Sequence, residues 1–216
     1  MNIQINGLVP LPLQDKLSNR PSDIWLTQTT FTSGNKIKIK AASGTGKTTL
    51  VHMLYKLRHD YVGEILINGR LLPTIKNNQL AALRQQSLSI VFQDMRLFDQ
   101  LTALENIELK RVLAQPVLYQ SKVIGQMAEQ LGILHILNQK AGNCSYGERQ
   151  RIAIIRALMQ PFKWLIMDEP FSHLDHLNID KAASLIATEC AKRAAGLIIT
   201  DLEHDAHFDY TQQYQL

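Results

Sequence analysis

Apolar positions in this chain switch repeatedly between a period of two and a helical period, with turn residues at the switches. Asn2 to Asn6 alternates as a short edge strand would, after which Pro10, Pro12 and Pro21 interrupt regular structure. Ile24 to Phe31, rich in β-branched and aromatic residues, predicts a strand. A Ser33-Gly34-Asn35 turn follows, and Ile37 and Ile39 then alternate with lysines from Lys36 to Lys40. Leu50, Val51, Met53, Leu54 and Leu57 recur at helical spacing. Gly63 to Arg70 reads as a strand entering an Asn68-Gly69 turn, a hairpin signal, and Asn78 to Gln86 as a helix.

Ser89 to Phe92 and Trp164 to Met167 are short unbroken apolar runs of the kind buried inside a parallel sheet. Gly196 to Thr200 supplies a last core strand. Asp94 to Leu101 has no period. Thr102-Ala103-Leu104-Glu105 and Ser145-Tyr146-Gly147-Glu148 each place Glu three residues after Thr or Ser, the capping box that opens a helix. From the first box to about Asn143 the pattern is almost all helical, punctuated by Pro116 and Gly132. The second box opens a helix with Ile152, Ile155 and Met159 on one side, ending before Pro161. Ile179 to Lys192 reads as another helix, and the tail from Asp201 is polar and indistinct. Strands alternating with helices predict an α/β fold: a mainly parallel sheet covered on both faces, a small N-terminal antiparallel β part, and an inserted helical subdomain. The whole of 1–216 is then one domain, with a core of about 1–93 and 146–216 and helices over about 94–145.

Composition narrows the picture. A chain of 216 residues, 45% apolar and 19% charged, has enough apolar content for one sizeable core and is not of the disordered class. A net charge of +4, carried by scattered lysines and arginines, does not argue for nucleic acid. Two cysteines, Cys144 and Cys190, make no disulfide framework and suit a reducing compartment. The start carries no signal-peptide pattern, and no apolar run approaches the roughly 18–20 residues that span a bilayer. Work at a membrane therefore needs a partner.

The chemistry concentrates first in Ala41-Ala42-Ser43-Gly44-Thr45-Gly46-Lys47-Thr48-Thr49, set between a predicted strand and a predicted helix. A glycine-bearing loop there turns its backbone N–H groups onto an anion, and the helix N-terminus adds its positive dipole end. This is the P-loop pattern: Gly44 and Gly46 permit close backbone approach, Lys47 reaches the β- and γ-phosphates, and the Thr48 hydroxyl ligates Mg²⁺. The pattern opens with Gly, and Ala41 stands there instead. If that turn needs a positive φ, Ala costs about 1–2 kcal/mol. A second focus is Asp168-Glu169-Pro170, at the C-terminal end of a buried strand, where open α/β sheets place ligands. Asp168 can hold Mg²⁺ directly or through water, and Glu169 can polarise a water aimed at the γ-phosphate. A solvated turn is the plainer alternative for that acidic pair.

The order of motifs is more specific than any one of them. P-loop, Gln93 at a strand end, Ser145-x-Gly147-x-Arg149-Gln150-Arg151, Asp168-Glu169-Pro170 and Ser172-His173-Leu174-Asp175 together resemble an ABC-transporter nucleotide-binding subunit from about Ile24 to Asp205. Phe92-Gln93-Asp94 and Leu101-Thr102-Ala103-Leu104-Glu105-Asn106-Ile107 are similar to the lipoprotein-releasing, macrolide-exporter and cell-division cassettes. The resemblance implies a P-loop NTPase core with ATP and Mg²⁺ as cofactors. It implies that Gln93 touches the metal and attacking water and senses a membrane subunit. It implies that Ser145 and Gly147 contact the γ-phosphate held by an opposing cassette, and that Asp175 links the two sites. Ser145 and Glu148 also cap their own helix on this reading. Phosphate and metal then fall to Ser43, Gly44, Thr45, Gly46, Lys47, Thr48, Thr49, Gln93 and Asp168, with Glu169 as general base.

Three departures bear on activity. The family's Leu-Ser-Gly-Gly-Gln reads Cys144-Ser145-Tyr146-Gly147-Glu148, adding bulk at Tyr146 and a negative charge at Glu148. The family's switch histidine, just after the last core strand and a threonine, is here Asp201, which cannot donate to a phosphate while ionised; His204 lies three residues on. The family stacks adenine on an upstream aromatic, yet residues 1–24 contain none. Trp25 comes first, inside a predicted strand, where core packing is its expected job. Loss of such stacking costs on the order of 1–3 kcal/mol.

The implied function is a Mg-dependent ATPase subunit that dimerises with a second, identical cassette and energises an integral membrane partner. It would sit on the inner face of the cell membrane through that partner, with no role for nucleic acid. Leu97, Phe98 and Leu101 are candidates for the docking surface, or else core. The alternative is a catalytically weak nucleotide-binding scaffold docked on a membrane protein. Soluble relatives of DNA repair or translation carry a long coiled-coil insert or two cassettes per chain, and 216 residues accommodate neither.

Overall fold

A computed structural model describes residues 1–17, 21–113, 116–202 and 206–216. Two sheets form its framework. Strands β1 (Asn2–Pro10), β2 (Gln28–Thr32), β4 (Tyr61–Ile67) and β5 (Arg70–Leu71) make an antiparallel sheet in the order β2-β1-β4-β5. Strands β3 (Lys36–Lys40), β6 (Leu88–Val91), β7 (Trp164–Asp168), β8 (Gly196–Asp201) and β9 (Gln212–Gln215) make a parallel sheet in the order β6-β7-β8-β3-β9. The helices are α1 (Gln14–Leu17), α2 (Lys47–Leu54), α3 (Asn77–Gln86), α4 (Ala103–Leu113), α5 (Lys122–Gln130), α6 (Tyr146–Leu158) and α7 (His176–Arg193).

Alternation along the parallel strands divides the interior in two. Trp164 and Ile166 of β7, Ile198 of β8, and Ile37 and Ile39 of β3 pack with α2 and the antiparallel sheet. Leu165 and Met167 of β7 and Leu197 and Ile199 of β8 pack with α6 and α7. Every residue of β7 is buried, which is why its sequence shows no polar alternation. Ala103 and Ile107 of α4 and Ile124 and Met127 of α5 join the cluster formed by α6 and the sheet, so the helical segment shares that core. The Asn68-Gly69 hairpin forms as predicted, both residues taking positive φ (50° and 76°) between β4 and β5.

Four expectations need correction. β1 is interior, not an edge strand: Ile3 lies opposite Phe31 on one side and Ile67 on the other, and pairing continues to Pro10. The predicted strand at Ile24 begins only at Gln28. There the Ser22 hydroxyl accepts the N–H groups of Ile24 (3.1 Å) and Trp25 (2.9 Å), and Leu26 takes φ 61°, so the chain turns. Ile24 and Trp25 are buried in that turn, which gives it the composition of a strand. The stretch to Asn143, read as almost all helical, holds α4 and α5 with breaks around Pro116 and Gly132 as expected, but after Gly132 only the short 3₁₀ turns Leu134–Ile136 and Ala141–Asn143. The indistinct tail carries β9, whose Gln212 to Gln215 pair with β3; only Tyr214 among them packs toward the core, so the stretch carries little apolar signal.

Candidate functional site

Residues 41–46 join β3 to α2, and the loop turns through two left-handed glycines, Gly44 (φ 78°) and Gly46 (φ 104°). Gly46 is the N-cap of α2, with no side chain to close the helix end, so the first-turn N–H groups face outward. A Cβ at Gly46 would stand 3.1 Å from the Trp25 ring and 3.2 Å from Leu13. Trp25 is buried beneath the loop and its indole N–H donates to the Thr45 carbonyl at 3.3 Å. Trp25 thus braces the loop from inside, in keeping with the packing role expected of it. Ala41 is buried in the apolar core and is not among the left-handed residues, so the strain anticipated for it does not arise.

Four side chains meet above this loop. The Lys47 ammonium donates to the Ala41 and Ala42 carbonyls (3.0 and 3.3 Å) and pairs with Glu169 at 3.2 Å. Glu169 in turn accepts from the Gln93 amide (3.2 Å), and Gln93 Oε1 accepts from the Thr48 hydroxyl (3.3 Å). Lys47 is only 6% exposed and Glu169 13%, so the pair sits in a partly dry environment that strengthens it. Glu169 follows β7 with φ 46°, a strained left-handed turn held by its N–H to the Thr200 carbonyl (3.0 Å) and by Gln150 donating to its own carbonyl (3.2 Å). Asp168, fully buried, accepts the Thr200 hydroxyl at 2.6 Å. Thr48, Gln93 and Glu169 offer hard oxygen donors above the loop, of the kind that suits Mg²⁺, whereas Asp168, expected beside them, is buried against Thr200 and does not line that space.

The cleft over these groups encloses about 300 Å³ and is lined by Ser43, Gly44, Gly46, Lys47, Thr48, Thr49, Gln93 and Glu169 from the predicted set. Its remaining lining residues, Pro12, Leu13 and Arg58, were not predicted. They lie in segments without motif or period, so the sequence carried no signal for them. Beside the cleft, burial and then the Arg96 charge lower the His52 pKa, leaving a neutral imidazole next to Thr48 and Gln93.

Ser145 and Gly147 do not line this cleft. Ser145 is the N-cap of α6, accepting from the Glu148 N–H at 3.3 Å, while the Glu148 carboxylate takes the Ser145 N–H (2.7 Å) and hydroxyl (2.9 Å). Those contacts, the backbone N–H first, hold the Glu148 carboxyl below its ordinary pKa. Its charge is therefore spent on its own helix. Gly147 allows a close approach: a Cβ there would stand 2.9 Å from the His173 carbonyl. Asp175 caps α7, accepting from the Asn178 N–H at 2.8 Å. Tyr146 projects outward, 67% exposed, against the His173 ring.

Consecutive residues of β8 part company. Thr200 turns to Asp168, but Asp201 pairs with Lys38 at 3.2 Å and caps the Leu202 N–H at 2.7 Å. Lys38 is 2% exposed, so Asp201 serves a buried cation. His204, the other histidine considered for the switch, lies outside the described residues, as does Asp205. Of the predicted docking trio, Phe98 is exposed, Leu97 packs on the core and Leu101 is half-buried. Both cysteines are free and buried, and burial pushes the Cys190 thiol up to about 12. Among the described residues, no helix is long and apolar enough to cross a membrane.

A bare helix end at a glycine-turned loop, with a lysine and the side chains of Thr48, Gln93 and Glu169 linked above it, makes a cleft whose chemistry suits a phosphate. The model of the family described as ABC transporter matches residues 27–172. The chain is 34% identical over 173 residues to the lipoprotein-releasing system ATP-binding protein LolD of Saccharophagus degradans, covering 80% of this chain and 75% of that one. It is 32% identical over 196 residues to LolD of Psychrobacter arcticus, covering 87% and 83%. The dimeric bacterial ABC transporter cassette MJ0796 superposes with a TM-score of 0.77 at 22% identity, covering 92% of this chain and 87% of that one. The chain belongs to the ABC transporter family, among its ATP-binding subunits.

Proposed function

We propose that this chain is a Mg-dependent ATPase that works as one of two identical cassettes closing on two nucleotides and pulling on an integral membrane partner. The observation that carries this reading is the unbroken contact path Thr48–Gln93–Glu169–Lys47 in one cleft. In this reading a triphosphate takes the Lys47 ammonium from the loop carbonyls and occupies the N–H groups at the start of α2. Thr48, Gln93 and Asp168 would hold the metal, Asp168 directly or through water, and the metal would supply positive charge against the phosphates. Displacement of Lys47 frees Glu169 to accept a proton from the attacking water, with Gln93 orienting both. Ser145 and Gly147 reach the γ-phosphate of the opposing cassette once the α6 cap opens to it. The LolD relatives support a membrane partner, and through it the chain would sit on the inner face of the cell membrane. With Asp201 committed to Lys38, no switch-type donor comes from that position, and slow turnover follows.

Phosphate release by the chain in complex with its membrane partner tests this. Glu169→Gln should lower the rate by about 10²–10⁴-fold while keeping ATP bound. Equal rates in the two proteins would defeat the enzyme reading and leave a scaffold.

A further inference from the structure

The phosphate end of the cleft is accounted for by Lys47, Thr48 and the loop, but three lining residues, Pro12, Leu13 and Arg58, have no role there. Pro12 and Leu13 come from the short 3₁₀ turn Leu11–Leu13 after β1, and Leu13 rests on the apolar core beside Gly46. They form an aliphatic wall.

Arg58 enters from the loop after α2. Its Nε donates to Asp60 Oδ1 at 2.8 Å and its Nη2 to Asp60 Oδ2, a two-point pairing, while Nη1 reaches the Thr49 hydroxyl at 3.5 Å. Those contacts use donors in the plane of the guanidinium. With those in-plane donors engaged, the means of contact that Arg58 keeps for a ligand in the cleft it lines is the flat face of the guanidinium. A guanidinium face stacks on a nucleobase, whereas a lysine ammonium gives only a point charge.

We infer that Arg58 and the Pro12–Leu13 wall form the nucleobase subsite, in which the base of a bound nucleoside triphosphate stacks on the Arg58 guanidinium. The subsite supplies the flat partner that residues 1–24, free of aromatic side chains, do not. This rests on the proposed nucleotide function, and inorganic tripolyphosphate, which has no base, separates the two.

The test is calorimetric titration of the full chain with Mg-ATP and with Mg-tripolyphosphate, in wild type, Arg58→Ala and Arg58→Lys. Arg58 is partly exposed, so both variants should fold, and their unfolding temperatures verify it. Wild type should bind ATP more tightly than tripolyphosphate. Both variants should lose about tenfold in ATP affinity, with tripolyphosphate affinity unchanged within twofold. A parallel loss for tripolyphosphate, full ATP affinity in Arg58→Lys, or no change in Arg58→Ala would each overturn the subsite. Wild-type binding of tripolyphosphate as tight as that of ATP would overturn the subsite alone. Failure of the wild type to bind either ligand would overturn the nucleotide reading beneath it.

Discussion

Two helices in this protein begin at polar, glycine-containing motifs, and they begin in opposite states. At α2 the N-cap is Gly46, which has no side chain to close the helix. At α6 the N-cap is Ser145, and Ser145 and Glu148 satisfy each other's N–H groups in a full capping box. A helix N-terminus left bare, with a lysine folded over it, is suited to an anion. A helix N-terminus already capped is stable alone and engages a further ligand only by exchanging bonds. The contrast divides labour within the proposed cycle: α2 captures nucleotide in the single chain, and α6 contributes only when an opposing nucleotide competes with Glu148.

The sharpest way to break this comparison is to close the bare end. Gly46→Ala must hold a Cβ at φ 104° and 3.1 Å from Trp25, so the loop shifts off its braced position. ATP affinity measured by titration should fall on the order of tenfold, since a Cβ in the left-handed region costs about 1–2 kcal/mol, which only a shift of the loop relieves. Unchanged affinity would mean that the loop geometry is not what binds. Gly147→Ala tests the other helix. Its Cβ would press on the His173 carbonyl, so chemical denaturation should register a loss of about 1–3 kcal/mol, with nucleotide affinity of the single chain preserved. Loss of affinity instead would place α6 within the capture site.

The smallest effect concerns the cap itself. Hydrogen bonds from Ser145 hold the Glu148 carboxyl below the ordinary glutamate value of about 4.3, so its ionised form is the one the fold favours. The resulting stability is fully present above the unfolded value and is lost as pH falls through the folded one. Glu148→Gln should therefore be less stable than wild type at pH 7 by about 0.5–1 kcal/mol. The gap should close in strongly acidic solution. A gap independent of pH in thermal unfolding would remove the charge from the account.

Both helix starts were legible in the sequence, because a capping box and a P-loop are local patterns. Buried strands such as Trp164–Met167 were legible as well, since burial on both faces leaves an unbroken apolar run. What stayed hidden depends on chain segments meeting from afar. Trp25 carries the composition of a strand but lies in a turn braced under Thr45. β9 is three glutamines around Tyr214, whose ring alone packs inward on Phe31, and its strand state depends on the hydrogen bonds that β3 offers it. Arg58 joins the cleft through Asp60 and Thr49, partners that no spacing rule connects to a phosphate loop. Asp201 was visible at the switch position, but its commitment to buried Lys38 required the register of β3 against β8.

The central claim, that the bare start of α2 and Lys47 clasp a triphosphate, is tested most directly by equilibrium binding of Mg-ATP to wild type and Lys47→Ala. Lys47 contacts two loop carbonyls and Glu169, so its removal takes away the cation on which those contacts converge. The account predicts saturable binding by wild type and a loss of about 100-fold or more in the variant, from about 3 kcal/mol in a charge-assisted contact. Equal retention of ATP by both proteins would contradict it.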